Sequence, residues 1–312
     1  MTPSSWLPGV SLSLVLAGIL GGTALDERPA RVASFRAGYR VLEADLHAHT
    51  RFSDGFLSPF DLVVQAERRG LDVLAVTEHN IIFPALMARA FATRVGGPTV
   101  LIGEEVTSRR FHVHGVGLTR RVDASAPLHE VIAAIHRQGG IAIAAHPVGR
   151  FQAAFDAELD DLDAAEVMHP LAFAGRGDSW KWTEMRDFYE RSRASGHALT
   201  AIGSSDYHFF SVLGICRTLI FARDDSDEAV KDALRAGRTV VYDLDGRAYG
   251  DPAMIAALER EPYTMREQDY GYRGSGTADR AARALGWLGL MGLLLFGFSG
   301  GTWTRRAEGR DQ

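Results

Sequence analysis

Between about residues 41 and 245 short apolar runs alternate with longer amphipathic ones. The runs 41–46, 72–77, 99–107, 111–118, 141–145, 164–168, 199–203 and 217–221 are short, rich in Val, Ile, Leu and Ala, and read as strands. The segments between them carry helix signals. Ser58 stands where an N-cap is needed, Pro59 suits the first turn, and Gly70 closes that helix. Helices are likewise expected over 83–95, over 125–138 with Gly139 and Gly140 at its end, over 180–195 and over 225–236. Such alternation predicts an α/β fold of parallel strands covered by helices. With about seven strands in roughly 200 residues, a closed or nearly closed barrel is the expected form. An open doubly wound sheet is the alternative. No internal repeat and no low-complexity tract interrupts the pattern.

The two ends depart from it. Residues 6–25 are apolar and uncharged, so the segment 1–25 is expected to be a signal peptide or an N-terminal membrane anchor. Residues 284–303 form a second uncharged run, rich in Leu and Gly, expected as a transmembrane helix. Residues 246–280 are polar and read as a linker or small cap. These features predict a membrane-associated protein. Arg28, Arg31, Arg36 and Arg40 after the first run, with Arg273, Arg280 and Arg283 before the second, would keep the central domain in the cytoplasm. The export-like first segment favours the other side, and the expectation leans toward an extracytoplasmic domain.

The net charge of -5 argues only weakly against nucleic-acid binding, because an acidic protein can still carry a basic groove. The single cysteine, Cys216, excludes an intrachain disulfide and a multi-thiolate metal site, and reads as a buried filler. Any metal must therefore be held by His and carboxylates. These stand at the expected strand ends: Asp45-Leu46-His47-Ala48-His49, Thr77-Glu78-His79, Gly103-Glu104-Glu105, His112-Val113-His114, Ala145-His146-Pro147 and Ser205-Asp206-Tyr207-His208. In a parallel barrel that end carries the chemistry. Of the 11 histidines, six occupy these places even without His114. His47 and His49 are two apart and face the same way in extended chain, as do Asp206 and His208. Imidazole with carboxylate suits zinc, manganese or iron. So many acids and imidazoles in one cavity would be costly without a compensating cation.

In this ordered set the chain resembles the PHP family, named for polymerase and histidinol phosphatase. His47-Ala48-His49 with Ser53-Asp54-Gly55 is similar to its first motif, Thr77-Glu78-His79 to its second, and Gly103-Glu104-Glu105 with His112 to its third. Ala145-His146-Pro147 and Ser205-Asp206-Tyr207-His208 are similar to later ones. The resemblance covers roughly residues 41–245 and implies a distorted (β/α)7 barrel holding two or three divalent metal ions (Zn, Mn or Fe). By that similarity His47, His49, Glu105 and Asp206 would hold one ion. Glu105 would bridge to a second, held also by His112 and His146, and Asp54, His79 and His208 would hold a third. His47, Asp54 and His208 are the candidates for a catalytic part. Glu78 departs from the family, which usually has Asp there. Glu104 against Glu105 and His112 against His114 stay open as ligands.

The resemblance implies a metal-dependent hydrolase cleaving a phosphoester of a small phosphorylated metabolite or nucleotide. Divalent metals make hydroxide available near neutral pH and take up charge on the phosphoryl oxygens. Arg51, Arg109 and Arg150 flank the motifs and could clamp a phosphate, or be ordinary surface arginines. His129, His136 and His197 read as peripheral, His169 as a possible pocket residue, and Trp180 and Trp182 as core or rim. A 5′-3′ exonuclease acting on short oligonucleotides and a carboxyl-ester or amide hydrolase are the alternatives. A domain that holds metal without catalysis is the last. No basic stripe with interleaved aromatics is present, so long nucleic acid is not an expected partner.

Overall fold

In the computed structural model, residues 6–25, 31–173, 181–209, 211–266 and 276–296 are described. Residues 1–5, 267–275 and 297–303 of the segments singled out above, and Trp180, lie outside them. The chain divides into two compact units, Met1–Arg28 with Tyr270–Gln312, and Pro29–Asp269.

The larger unit is an 11-stranded sheet with helices on its outer side. Its strands are β1 (Ser34–Arg36), β2 (Tyr39–Asp45), β3 (Val73–Val76), β4 (Thr99–Thr107), β5 (His112–Val116), β6 (Ile141–Ala144), β7 (Ala164–Met168), β8 (Thr200–Gly203), β9 (Thr218–Ala222), β10 (Thr239–Tyr242) and β11 (Ala248–Gly250). The order is β11-β10-β9-β2-β3-β4-β5-β6-β7-β8, with β1 on β2. From β2 to β8 the strands curl into a nearly closed barrel. The chain beyond β2 meets the chain beyond β8 in a parallel bridge between Ala48 and Tyr207, with the His49 N–H donating to the Tyr207 carbonyl at 3.0 Å.

The barrel is less uniform than alternation predicts. β2, β3 and β4 are parallel, as are β6, β7 and β8, but β5 is antiparallel to both neighbours and β9 to β2. The reason for β5 is the length of its connection. Residues 108–111 allow a hairpin, whereas a parallel return needs a crossover of a dozen residues or more. Reversal places the start of β5, at His112, on the same rim as the carboxyl ends of its neighbours.

Helices in this unit are α2 (Pro59–Arg68), α3 (Phe83–Val95), α4 (Leu128–His136), α5 (Gln152–Ala157), α6 (Trp182–Ala194), α7 (Asp227–Arg235) and α8 (Pro252–Arg260). α2 starts as its sequence requires: the Ser58 hydroxyl accepts the Asp61 N–H at 3.1 Å, and Pro59 fills the first turn. Inside the barrel Leu42, Leu46, Val73, Leu101 and Ile202 are fully buried. The segment after residue 246 carries β11, paired with β10, and α8. Tyr263 and Arg266 then return to the barrel, where the Tyr263 hydroxyl and the Arg266 N–H both donate to Glu43 at 2.8 Å.

The smaller unit is a pair of helices, α1 (Leu7–Ala24) and α9 (Thr277–Phe296). They pack through small residues: a Cβ on Gly18 would lie 2.4 Å from the Gly286 backbone, and one on Gly289 2.5 Å from Ser11 O. Trp287, Leu288 and Leu295 point outward and are more than half exposed. The expected membrane association is corrected here. Among the described residues, no helix is long and apolar enough to cross a membrane. The 18 residues of α1 rise only about 27 Å at ~1.5 Å each, against a hydrocarbon core of ~30 Å. α9 spends its first turns on Asp279, Arg280 and Arg283. The uncharged runs thus overstated both spans, and the transmembrane assignment and the membrane side inferred from it fall together.

Candidate metal centre

Each strand from β2 to β8 has one end at or beside one pocket. The chain beyond β2 delivers His47 and His49, and a loop delivers Asp54. The end of β3 supplies His79, β4 supplies Glu105, the start of β5 supplies His112, the end of β6 supplies His146, and the end of β8 supplies Asp206 and His208. The structure brings all nine together. His49, Asp54, His79 and His208 form one group able to hold a cation, Glu105, His112 and His146 a second, and His47, His49 and Glu105 a third. His47, His146 and Asp206 form a further overlapping group. His49 therefore sits between two groups, where the resemblance placed it in one.

Strand alternation separates Glu104 from Glu105 but leaves both His112 and His114 in groups able to hold a cation. Glu105 faces the pocket, with Oε1 2.8 Å from His112 Nδ1 and 3.1 Å from His146 Nε2. Glu104 faces the other way, where Oε2 accepts the Val122 N–H at 2.8 Å, and burial pushes its carboxyl up to about 7. His112 and His114 both face inward. His112 reaches Glu105, while His114 is fully buried against His47, their rings edge-on at 3.9 Å.

The donor set fits divalent cations. Glu105 Oε2 is buried and lies 2.9 Å from His79 Nδ1, 3.3 Å from His49 Nε2 and 3.6 Å from His47 Nε2, yet it accepts no hydrogen bond. Asp206 Oδ1, 2.9 Å from His47 Nε2, accepts none either. Carboxylate oxygens ringed by imidazole nitrogens without hydrogen bonds are arranged for a cation, since a buried unsatisfied acceptor otherwise costs ~1–3 kcal/mol. Electrostatics agree. Burial by itself would lower the His47 pKa, but Asp206, Glu166 and Glu105 push it well above the usual range. Burial opposes the charge on Glu105 too, yet His47, with hydrogen bonds from His112 and His146, holds that carboxyl well below its usual value. Burial disfavours charge on His79 as well, and the neighbouring carboxylates of Asp54 and Glu105 nonetheless raise it to about 10. A pocket that raises the basicity of fully buried imidazole demands positive charge.

The backbone is bent to reach this geometry. His146 and Asp206 have φ of 26° and 42°, a region non-glycine residues rarely enter and one where strain concentrates at functional sites. Glu78 lies behind the pocket, accepting the Thr50 N–H at 2.8 Å and bonding the hydroxyls of Thr50 and Ser53, so it shapes the loop that carries Asp54. Asp45 accepts the N–H groups of Ser205 at 3.0 Å and Gly214 at 2.7 Å, tying the rim after β2 to the rim after β8.

Arg51, Arg109 and Arg150 are exposed and make no ion pair with a described residue. Arg150 lies 4.9 Å from the Phe151 ring, which in turn lies 4.7 Å from the His112 ring. Arg51 sits in the loop between His49 and Asp54. Trp182 is a core-edge residue whose Nε1–H donates to the Val167 carbonyl at 2.8 Å. The sequence reading overlooked Glu166, 2.9 Å from His47 Nδ1. The signal was a lone acid inside the apolar strand Ala164–Met168. His169, considered only as a pocket residue, lies 3.1 Å from Asp206 Oδ2.

Comparison with known proteins agrees with this architecture. The PHP domain family model matches residues 45–236. An uncharacterized protein of Methanocaldococcus jannaschii is 28% identical over 144 residues, 41% of this chain and 84% of that protein. A 3′,5′-nucleoside bisphosphate phosphatase of Chromobacterium violaceum is 31% identical over 160 residues, 49% of this chain and 55% of that enzyme. In fold the chain is similar to a two-domain protein of Bacteroides vulgatus containing a predicted PHP-like metal-dependent phosphoesterase. Its TM-score is 0.58 at 21% identity, covering 75% of this chain and 74% of that one. With a family match spanning more than half its length, this chain belongs to the PHP domain family.

Proposed function

We propose that this chain hydrolyses a phosphoester of a small phosphorylated metabolite or nucleotide, at the pocket formed by His47, His49, Asp54, His79, Glu105, His112, His146, Asp206 and His208. The observation that carries the reading is the pair of buried carboxylate oxygens, Glu105 Oε2 and Asp206 Oδ1, that face imidazole nitrogens without accepting a hydrogen bond. The phosphatase activity of the Chromobacterium violaceum relative supports it.

On this reading Glu105 joins two neighbouring cation sites, because its Oε1 serves His112 and His146 while Oε2 turns toward His47 and His49. Bound divalent metals would supply hydroxide at neutral pH and neutralise the phosphoryl oxygens. Asp54 and His208 lie on the solvent side, with His208 Nε2 3.0 Å from Asp54 Oδ1. His208 Nδ1–H donates to the Asp206 carbonyl at 2.8 Å, which fixes the ring and presents Nε2 to an entering substrate. With the ring proton on Nδ1, that Nε2 lone pair suits a cation, so a leaving alcohol would take its proton from water. Arg51, Arg109 and Arg150, which pair with no carboxylate among the described residues, would bind phosphate oxygens.

The test is hydrolysis of an aryl phosphomonoester, an aryl phosphodiester and an aryl carboxyl ester by the full chain, with zinc and manganese supplied. Phosphate release from the monoester supports the reading. Cleavage of the diester alone moves the assignment to a nuclease, and cleavage of the carboxyl ester alone removes phosphate from the account.

A further inference from the structure

Strand β7 contributes none of the nine residues above, yet Glu166 within it and His169 directly after it reach the pocket. Glu166 and His169 are three apart, and in a regular strand an odd separation points them to opposite faces. The register of β7 against β8 breaks between them: Glu166 pairs with Ile202 and Met168 with Gly203. The extra residue of this bulge shifts the alternation by one and turns both side chains inward.

Each then holds one pocket residue in a fixed state. Glu166 Oε1 lies 2.9 Å from His47 Nδ1 and also accepts the Ser204 hydroxyl, while Oε2 accepts the His146 backbone N–H at 2.6 Å. A carboxylate there keeps the His47 ring proton on Nδ1. The Nε2 lone pair is left facing His49 Nε2 and Asp206 Oδ1, both at 2.9 Å. His169 works in the same sense on the acid. The Leu171 N–H donates to His169 Nδ1 at 3.2 Å, so the ring proton sits on Nε2, 3.1 Å from Asp206 Oδ2. That bond occupies Oδ2 and leaves Oδ1 for the pocket. Both groups are buried.

We propose that Glu166 and His169 are positioning residues of the metal centre: Glu166 sets the tautomer of His47, and His169 sets which oxygen of Asp206 faces the cation. The inference rests on the metal reading of the pocket. Partners of this kind, which touch the ligands and not the metal, typically change metal affinity 10–100-fold.

The experiment measures zinc affinity of the full chain by chelator competition, beside the melting temperature of the metal-free protein. E166Q places an amide N–H where the carboxylate accepts three hydrogen bonds, so zinc affinity should fall about 10–100-fold. H169F keeps a ring but no donor and should lose affinity similarly, whereas H169Q, whose amide can donate to Asp206, should retain most of it. Metal-free melting temperatures should stay near wild type. Wild-type affinity in E166Q and H169F, with zinc bound by the wild type, overturns the inference alone. Equal loss in H169Q and H169F, or a loss matched by collapse of the metal-free fold, overturns it as well. A wild-type chain that binds no zinc overturns both this inference and the function it rests on.

Discussion

The imidazoles of His47 and His49 meet at their Nε2 atoms, 2.9 Å apart, with only Ala48 between the two residues in the chain. With the His47 proton directed at Glu166, its Nε2 faces His49 as a lone pair. Two lone pairs at that distance repel unless a cation or a proton lies between them. His47→Ala should therefore remove bound metal together with activity, by about 10²-fold or more, while the barrel stays folded. Asp206→Ala should do the same. Elemental analysis and circular dichroism on the two variants check this; full metal content in either contradicts the site.

Gly55 controls the approach of the loop bearing Asp54. A Cβ at this position would lie 2.3 Å from the His49 carbonyl oxygen, a backbone atom that cannot step aside. Gly55→Ala should destabilise the protein by about 1–3 kcal/mol and loosen the group formed by His49, Asp54, His79 and His208. Denaturant titration with a metal-affinity measurement on the same variant tests both effects.

Arg217 pairs with Glu43, both side chains without solvent exposure, and Arg217 also donates to the Gly214 carbonyl at 3.0 Å. Arg217→Ala leaves the Glu43 carboxylate buried beside only Tyr263 and Arg266. The expected loss is about 3–5 kcal/mol, read as a shift in the denaturant midpoint. A loss under ~0.5 kcal/mol would show that this pair is dispensable.

The pair of His136 Nε2 and Asp163 Oδ2, 2.8 Å apart, gives the folding stability a pH dependence. The hydrogen bond to Asp163 raises the His136 pKa in the folded state. The contribution is therefore fully present below the unfolded value of ~6.5 and is lost as pH rises through the folded value. His136→Gln should cost stability at pH 5.5 and nearly nothing at pH 9. The pair is partly exposed, so the effect is a fraction of ~1 kcal/mol. Denaturant midpoints at the two pH values decide it, and an equal cost at both contradicts the assignment.

Arg150 and Arg51 are expected to act on substrate binding rather than on the chemical step. Replacing either with Ala should raise KM for a phosphomonoester several-fold with a smaller change in kcat. Arg109→Ala should give a weaker effect of the same kind. Unchanged kinetics in all three would return these arginines to the solvated surface.

Much of the site was legible because its parts are local. The spacing of His47 and His49, the acids beside His79 and His208, and the strand-helix alternation lie within a few residues of one another in the chain. What was not legible depends on partners distant in sequence. The direction of β5 follows from a four-residue connection that pattern alone reads as a turn of either kind. Glu104 and Glu105 separate only once β4 is laid against β5, where Glu105 pairs with His114. Glu166 and His169 share a face because of a bulge, which leaves no periodic trace. At the ends, apolar composition suggested spans, but the length of α1 and the charges opening α9 do not support them.

On this reading the nine residues hold the metal on which hydrolysis depends. The most direct measurement strips the purified full chain with a chelator, counts metal per chain, and follows aryl phosphomonoester hydrolysis as zinc or manganese is returned. The metal-free protein should stay folded and inactive, with activity rising as two or three ions per chain bind. Undiminished phosphate release from the stripped protein, or saturating metal without any turnover of phosphate esters, would contradict it.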